Sequence, residues 1–238
     1  MTIQNRTIFL DHIAEQLNRP RKKEVVKPTW KNQPQWNVLN DATQEELVDV
    51  LKEQCNFIHT TYKHVGKKDL KQALSEAIAE FGGDSLIVAN DKRNASYGLQ
   101  AFYQSLDEDS VEVRYWETEN QNENIRFAER ANIGITFSDI TIAESGTVTL
   151  FNHAGNGRSI SLLPKHYIAI IPKSTIVPRM SQATKQIQEM KEQGIQLPSC
   201  ISFISGPSNS ADIELNLIVG VHGPVSATYI IIDDDPLN

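Results

Sequence analysis

Three polar segments that contain glycine interrupt the apolar second half of the chain. The first covers residues 134–147 and ends in Glu144-Ser145-Gly146-Thr147. Glycine permits a tight turn or the close approach of a ligand, and a carboxylate there can act as nucleophile, base or hydrogen-bond acceptor. Glu144 is therefore a candidate catalytic residue, unless the segment is only a strand-connecting turn with a solvated Glu. The candidate ligand-binding residues are Asp139, Ser145, Gly146 and Thr147.

The second segment, residues 155–164, has the sequence Gly-Asn-Gly-Arg-Ser-Ile-Ser-Leu-Leu-Pro. Its Arg158 lies beside glycines and serines, and a guanidinium can bind a carboxylate or phosphate through two parallel hydrogen bonds. Arg158 is a candidate ligand-binding residue. The alternative is an ordinary surface arginine.

The third segment has two parts, residues 205–214 (SGPSNSADIE) and 220–224 (GVHGP). We expect Ser208 or Ser210 to cap a helix, whose free amides favour an anion. His222 can titrate near neutral pH and transfer a proton or hold a ligand, or it is a histidine that only bonds backbone. Asp212 and Glu214 cannot share a helix face at a spacing of two, so one of them is expected to stabilise the helix N-terminus. The candidates are Asp212 and His222 for catalysis and Ser205, Gly206, Ser208, Glu214 and Gly223 for ligand binding.

The sequence offers no pattern for a metal or a redox cofactor. Cys55 and Cys200 are far apart and neither belongs to a C-x-x-C pair, and a four-thiolate cluster needs more cysteines than two. The histidines form no metal-ligand spacing, and no G-x-G-x-x-G follows an early strand. We predict no metal and no cofactor in this chain, so that any electron carrier belongs to a partner.

Alternating strand and helix patterns must position these segments. Thr43-x-x-Glu46 is typical of a capping box before a helix. Strands separated by helices predict one α/β domain, with a largely parallel sheet covered on both faces. The predicted helices lie over about 43–51, 68–81, near 99 and over 179–193, and the predicted strands over 85–90, 111–116, 133–151 with a break at 144–146, 167–172, 200–204 and 228–233.

The N-terminal residues have a different character. Ile3, Phe9, Ile13 and Leu17 follow a helical period, which predicts a short amphipathic helix that serves as a docking arm. Residues 19–36 are rich in proline and basic side chains, which is typical of an extended linker, although the basic cluster can also contact an acidic partner. We therefore divide the chain into an arm and linker, residues 1–40, and a main domain, residues 41–238.

Composition excludes several functional classes. The chain has 238 residues, of which 39% are apolar, enough for one sizeable core. A net charge of -7 opposes general attraction to nucleic acid or an anionic membrane. The N-terminus lacks the pattern of a signal peptide and no run is apolar enough to span a membrane, so we expect a cytoplasmic protein.

Four motifs together resemble one known family. GITxxDxxIAESGT, GRSISLLP, SGPSNSADIE and GVHGP, in this order within residues 134–233, closely resemble the lactate-utilization domain (LUD) family, and in particular its stand-alone C member. One departure is visible, because many members have Arg-Thr where this chain has Asn209-Ser210. An anion contact from that arginine is therefore missing here.

The resemblance implies a fold and a role. The family's fold is similar to that of glucosamine-phosphate isomerase, ribose-phosphate isomerase and the CoA transferases, a Rossmann-like three-layer arrangement. In bacteria the family acts in oxidation of L-lactate to pyruvate beside two iron–sulfur proteins, one with cysteine-rich repeats and one that joins this domain to ferredoxin-like cluster motifs. The implied function is that of a subunit without a cluster, which supports electron transfer or complex assembly and binds lactate or another small carboxylate, or shapes the interface to its partners.

Two enzymatic alternatives remain open. Glu144-Ser145-Gly146 is similar to the Glu-Asn-Gly segment that supplies the nucleophilic Glu in CoA transferases, so Glu144 would attack an acyl-thioester. Sugar-phosphate isomerisation would need a proton-transfer pair, which Asp212, Glu214 and His222 can supply, but no phosphate-binding glycine motif accompanies them.

Overall fold

The structure is a computed structural model that describes residues 4–22, 24, 26, 28–108, 111–213 and 216–234. The chain divides into two compact units, Met1–Asn37 and Val38–Asn238. In the first unit, helix α1 covers Arg6–Gln16, and the side chains of Ile8, Phe9 and Leu17 are exposed. Ile3, part of the predicted helical period, lies outside the described residues.

The second unit contains the remaining elements. Its helices are α2 (Gln44–Phe57), α3 (Leu70–Glu80), α4 (Arg93–Ser96), α5 (Leu99–Glu108), α6 (Gln121–Arg130), α7 (Ser159–Leu162) and α8 (Met180–Glu192). Its strands are β1 (Thr60–Gly66), β2 (Ser85–Val88), β3 (Glu112–Tyr115), β4 (Ile133–Phe137), β5 (Ile140–Ile142), β6 (Thr147–Asn152), β7 (His166–Pro172), β8 (Ile176–Val177), β9 (Cys200–Ser205), β10 (Asn209–Ile213), β11 (Asn216–Val219) and β12 (Ser226–Asp233).

A six-stranded sheet forms the centre of this unit, in the order β1-β12-β7-β4-β2-β3. All its neighbouring strands run parallel. Strands such as β7 and β12 are almost continuously apolar because both faces of a parallel sheet are covered. The predicted fold class, a Rossmann-like α/β domain with a mainly parallel sheet between helices, is confirmed.

Side chains from alternate positions of each strand enter different cores. Ile168 and Ile170 of β7 pack with α3 and α5 on one face. Tyr167 and Ile171 point to the other face, where they meet α2 and β6. The helix α2 begins with the predicted capping box, in which the Thr43 side chain accepts from the Glu46 N–H and the Glu46 carboxylate accepts from the Thr43 N–H.

Smaller sheets lie outside the central one. Strands β8-β5-β6-β9 form a four-stranded sheet, and β10 and β11 form an antiparallel pair. The prediction of a helix that begins near Ser208 or Ser210 is therefore wrong, because Asn209–Ile213 form a strand. Strand β11, Asn216–Val219, supplies a pairing partner, so β10 joins a hairpin and the expected helix N-terminus for an anion does not form.

Among the described residues, no helix has both the length and the apolar character needed to cross a membrane.

Candidate functional site

A chain of hydroxyl groups joins the first and third polar segments. The Thr147 Oγ1 lies 2.6 Å from the Ser145 Oγ and 2.7 Å from the Ser205 Oγ. This contact exists because β6, which begins at Thr147, pairs with β9, which ends at Ser205. The pairing of these two strands in the four-stranded sheet thus brings together Thr147 and Ser205, which are 58 positions apart.

Tyr229 of β12 fixes the two turns next to this chain. Its hydroxyl accepts a hydrogen bond from the Gly206 N–H at 2.9 Å and lies 3.1 Å from the Gly146 carbonyl, to which it donates. Tyr229 is fully buried, and this burial raises the pKa of its phenol, so the group stays neutral. Tyr229 is not among the residues predicted from the sequence, because a tyrosine in an apolar strand has the pattern of a core residue.

Gly206 requires glycine for two separate reasons. Its φ is +68°, a region that L side chains rarely adopt, and a Cβ there would lie 2.4 Å from the Ile58 carbonyl oxygen. The same Cβ would lie 2.8 Å from the Oγ1 of Thr60, the first residue of β1. The Gly206 turn is therefore at the amino end of the central sheet.

The hairpin of β10 and β11 and the loop before β12 form one wall of a cleft beside the Gly206 turn. The Ser208 N–H donates to the Pro224 carbonyl at 2.9 Å, and the Gly220 N–H donates to the Ser208 carbonyl at 2.7 Å. Gly220 has a φ of +80°, and a Cβ there would lie 2.5 Å from the Val225 Cγ1. These backbone contacts hold the GVHGP loop against Ser208.

Together these elements enclose a cleft of about 320 Å³. Its walls include predicted residues from both parts of the third segment and Ser161 from the second. His222 is exposed, and none of the described residues that line the cleft is Asp, Glu, Lys or Arg. Hydroxyl groups and one imidazole can donate to a small polar ligand or a single carboxylate. The lining residues from the sequence predictions are Ser205, Gly206, Ser208, His222 and Gly223.

Exposed apolar side chains border the same region. Leu162 and Phe203 line the cleft, and nearby positions on β11 and the loop before β12 also expose valines. Grouped apolar side chains on a surface are typical of an interaction site. The exposed members are Leu162, Phe203, Val219, Val221 and Val225.

Glu144 and Arg158 do not line this cleft. The Glu144 carboxylate accepts a hydrogen bond from the Arg179 Nε at 2.6 Å, and its side chain is 41% exposed. This contact engages one carboxylate oxygen, so that oxygen is less available to attack a substrate. Arg158 is exposed at the start of α7, where its carbonyl accepts from the Ser161 hydroxyl.

Asp139 lies at the opposite end of the central sheet, just after the carboxyl end of β4, in a network centred on Arg93. The Arg93 Nη2 lies 2.6 Å from the Asp91 Oδ2 and 2.7 Å from the Asp139 Oδ1, while Nη1 donates to the Ser138 carbonyl at 2.9 Å. The second Asp139 oxygen accepts from the Phe151 N–H at 2.7 Å. The network therefore ties α4 to the ends of β4 and β6.

This network lies at the carboxyl ends of the neighbouring strands β2 and β4, which form the topological switch point of the sheet. After β2 the chain continues to β3 on one side, and after β4 it next enters the sheet as β7 on the other side. Burial raises the pKa of Asp139, and its contacts with Arg93 offset this only in part. Burial acts in the same direction on Asp91, but hydrogen bonds from Arg93 outweigh it and lower the pKa of Asp91. The switch-point rule, applied to the Asp-Lys-Arg that follows β2, was the signal that could have identified Arg93.

Two predicted residues fall where side chains are not described. Asp212 lies on β10, and only its backbone is described, while Glu214 lies outside the described residues. Within the described part of the chain, no group of three or more His, Cys, Asp and Glu side chains is arranged to hold a metal. Burial raises the pKa of the Cys55 thiol to about 12, so it stays protonated at neutral pH.

Known proteins resemble this chain along nearly its whole length. The LUD domain family matches residues 48–232. The chain belongs to the LUD domain family. A protein named lactate utilization protein C from Oceanobacillus iheyensis is 53% identical over 98% of this chain and 100% of the relative. The protein of the same name from Shouchella clausii is 54% identical over 98% of this chain and 99% of the relative.

The LUD membership confirms the resemblance found in the four sequence motifs. A crystal structure of a DUF162 family protein from Deinococcus radiodurans superposes with a TM-score of 0.56, at 19% identity, over 80% of this chain and 98% of that one. At this identity the match concerns the fold alone. It agrees with the mainly parallel sheet flanked by helices.

Proposed function

We propose that this chain takes part in lactate utilization, as a subunit of an iron–sulfur system that oxidises L-lactate to pyruvate. It supports electron transfer or assembly of the complex and carries no cluster itself. The observation that carries the proposal is the cleft at the amino end of the sheet, on which separate motifs converge inside an apolar border. The names of the whole-length relatives support the choice of lactate as the substrate class.

The electron balance supports a division of labour between this chain and partners. Oxidation of lactate to pyruvate releases two electrons and two protons, and the electrons need an acceptor. Cys55 is buried and Cys200 is partly buried, and two thiolates are too few for a cluster. The proposal therefore assigns the clusters to two partner iron–sulfur proteins, in the cytoplasm.

The cleft suits a small carboxylate or a partner's surface. An N–H of the His222 imidazole and the hydroxyls of Ser205 and Ser208 can donate to one carboxylate. The volume of the cleft, about 320 Å³, lies at the low end of the range for small-molecule sites. The apolar border of Leu162, Phe203 and the neighbouring valines supports docking of a protein over the cleft.

Reconstitution tests the proposal. We expect the purified chain alone to give no lactate-dependent reduction of an artificial dye, and the mixture with its two iron–sulfur partners to give a rate well above that of the partners without it. The mixture without this chain is the control. Equal rates with and without the chain would overturn the proposal.

The acyl-thioester alternative requires Glu144 as nucleophile. Its partial exposure leaves it accessible, and its ion pair with Arg179 is the reason we rank this alternative second. It predicts that the chain alone transfers CoA from an acyl-CoA to a free carboxylate acceptor and releases the acyl group as its carboxylate, with loss of turnover in Glu144→Gln. Our proposal predicts no thioester turnover in either protein.

A further inference from the structure

A second, larger groove lies between α5 and β3, the last strand of the sheet, and extends past the carboxyl ends of β2 and β3. Its volume is about 630 Å³, within the range of small-molecule sites. One wall is a single face of α5, where Gln100 and Gln104 are four residues apart with Tyr103 between them. The other wall is one face of β3, where Tyr115 is followed two positions later by Glu117.

The tyrosines give the groove a rigid apolar floor with an unused polar group. The rings of Tyr103 and Tyr115 pack edge to face at a centroid distance of 6.0 Å. Tyr103 is fully buried, and its hydroxyl has no hydrogen-bond partner among the described residues. A buried hydroxyl without a partner costs free energy, which a ligand or water in the adjoining groove can recover.

The charge of the groove excludes anions. Asp107 and Glu117 line it, and none of its described lining residues is Lys or Arg. Lactate, pyruvate and phosphates would be repelled, so this groove does not duplicate the cleft proposed for the lactate system. Each carboxylate already accepts a hydrogen bond, Asp107 from the Val113 N–H and Glu117 from the Asn120 side chain, which reduces the need for a cation.

The side-chain amides that line the groove indicate which kind of ligand it can bind. The side-chain amides of Asn90, Gln100 and Gln104 each donate and accept, as hydroxyl groups do. A carboxylate accepts from the two hydroxyls of a diol, and a tyrosine ring packs against the apolar face of a sugar ring or a base. We propose that this groove binds a small uncharged molecule with several hydroxyl groups, of the sugar or nucleoside class and without phosphate.

NMR titration of the full chain tests this inference. The probes are D-ribose, D-glucose and adenosine for the proposed class, putrescine for amines and L-lactate for anions, and the readout is the aromatic signals of Tyr115, assigned with Tyr115→Phe. We expect at least one hydroxylated probe to shift these signals with a dissociation constant in the millimolar range or below. L-Lactate should leave them unchanged.

The double variant Gln100→Leu/Gln104→Leu should weaken that binding about tenfold or more, because it removes two of the side-chain amides that line the groove. Both positions are exposed and leucine keeps the helix propensity, so the variant should fold. Gln186→Leu, on the exposed face of α8, is the matched control and should bind as the wild type does. The inference is overturned if none of the hydroxylated probes binds in the millimolar range, if putrescine alone binds, or if binding is undiminished in the double variant.

Discussion

At the scale of single residues, the cleft depends on a buried phenol and a strained turn. The Tyr229 hydroxyl satisfies the Gly206 N–H and contacts the Gly146 carbonyl, and so links a strand of the central sheet to the Gly206 turn of the cleft and to the neighbouring Gly146 turn. Neither turn residue has a side chain that could hold it in place. The position of Ser205 and Thr147 therefore depends on a residue outside the motifs.

Tyr229→Phe should lower the free energy of unfolding by about 1–3 kcal/mol, because it leaves a buried N–H without a partner. Urea unfolding followed by circular dichroism measures this. Tyr62→Phe, at a half-buried position of β1, is the control and should cost less. Equal losses in the two variants would contradict the role assigned to the Tyr229 hydroxyl.

Gly206→Ala should lower the free energy of unfolding by about 2–4 kcal/mol, from the positive φ and from the clash with the Ile58 carbonyl. Gly194→Ala separates the two causes, since Gly194 has a φ of +79° but no atom within 4 Å of the added Cβ. We expect about 1 kcal/mol for Gly194→Ala in the same urea assay. A loss at Gly206 no larger than that at Gly194 would show that the close approach does not matter.

His166 gives the fold a dependence on pH. Burial beside Phe81, at a ring distance of 4.2 Å, and the charge of Lys165 lower the pKa of His166. The unfolded chain then binds the proton first, so stability falls as the pH drops below the unfolded value of about 6.5 toward the folded one. We expect His166→Gln to reduce the change in unfolding free energy between pH 7 and pH 5.5, and an unchanged slope would refute this.

At the scale of elements, the Arg93 network joins α4 to the second sheet. Arg93→Met would leave Asp91 and Asp139 partly buried without their cation, which should cost about 3–5 kcal/mol in thermal or urea unfolding. Arg130→Met is the control, because its pair with Glu112 is exposed to solvent and should contribute far less to stability. Similar losses in both variants would contradict the structural role of the network.

Elements with local signals could be predicted from the sequence, and those that depend on distant pairing could not. The capping box at Thr43 and the buried runs of β2, β7 and β12 depend on neighbouring residues, and each is present. The segment after Ser208 has serines and carboxylates typical of a helix start, but pairing with β11 makes it a strand. The local pattern contained no information on that partner.

The candidate site shows the same limit. Ser205, Gly206, Ser208, His222 and Gly223 were selected from residue types, and the structure brings them to one cleft. Their location at the amino end of the sheet was not predictable, because β6 and β9 leave the central sheet and pair with each other. Asp139, selected by the same reasoning, lies at the carboxyl end instead.

At the scale of the whole molecule, the amino and carboxyl ends of the central sheet carry different groups. The amino end has an uncharged, hydroxyl-rich cleft with an apolar border, and the carboxyl end has the Arg93 network and an acidic, amide-lined groove. One domain can therefore bind a partner or small carboxylate at one edge and a different ligand at the other. We propose the lactate role for the amino-end cleft and the sugar or nucleoside class for the groove.

The most direct test of that assignment is the rate of L-lactate consumption by a bacterial strain that lacks its own lactate utilization protein C and expresses this chain. We expect the wild type to restore consumption and Ser208→Ala/His222→Gln to lower the rate about tenfold or more at equal protein level. The matched control, Ser96→Ala/Gln186→Leu, changes exposed positions outside the cleft and should restore the full rate. Full restoration by the Ser208→Ala/His222→Gln variant would contradict the account.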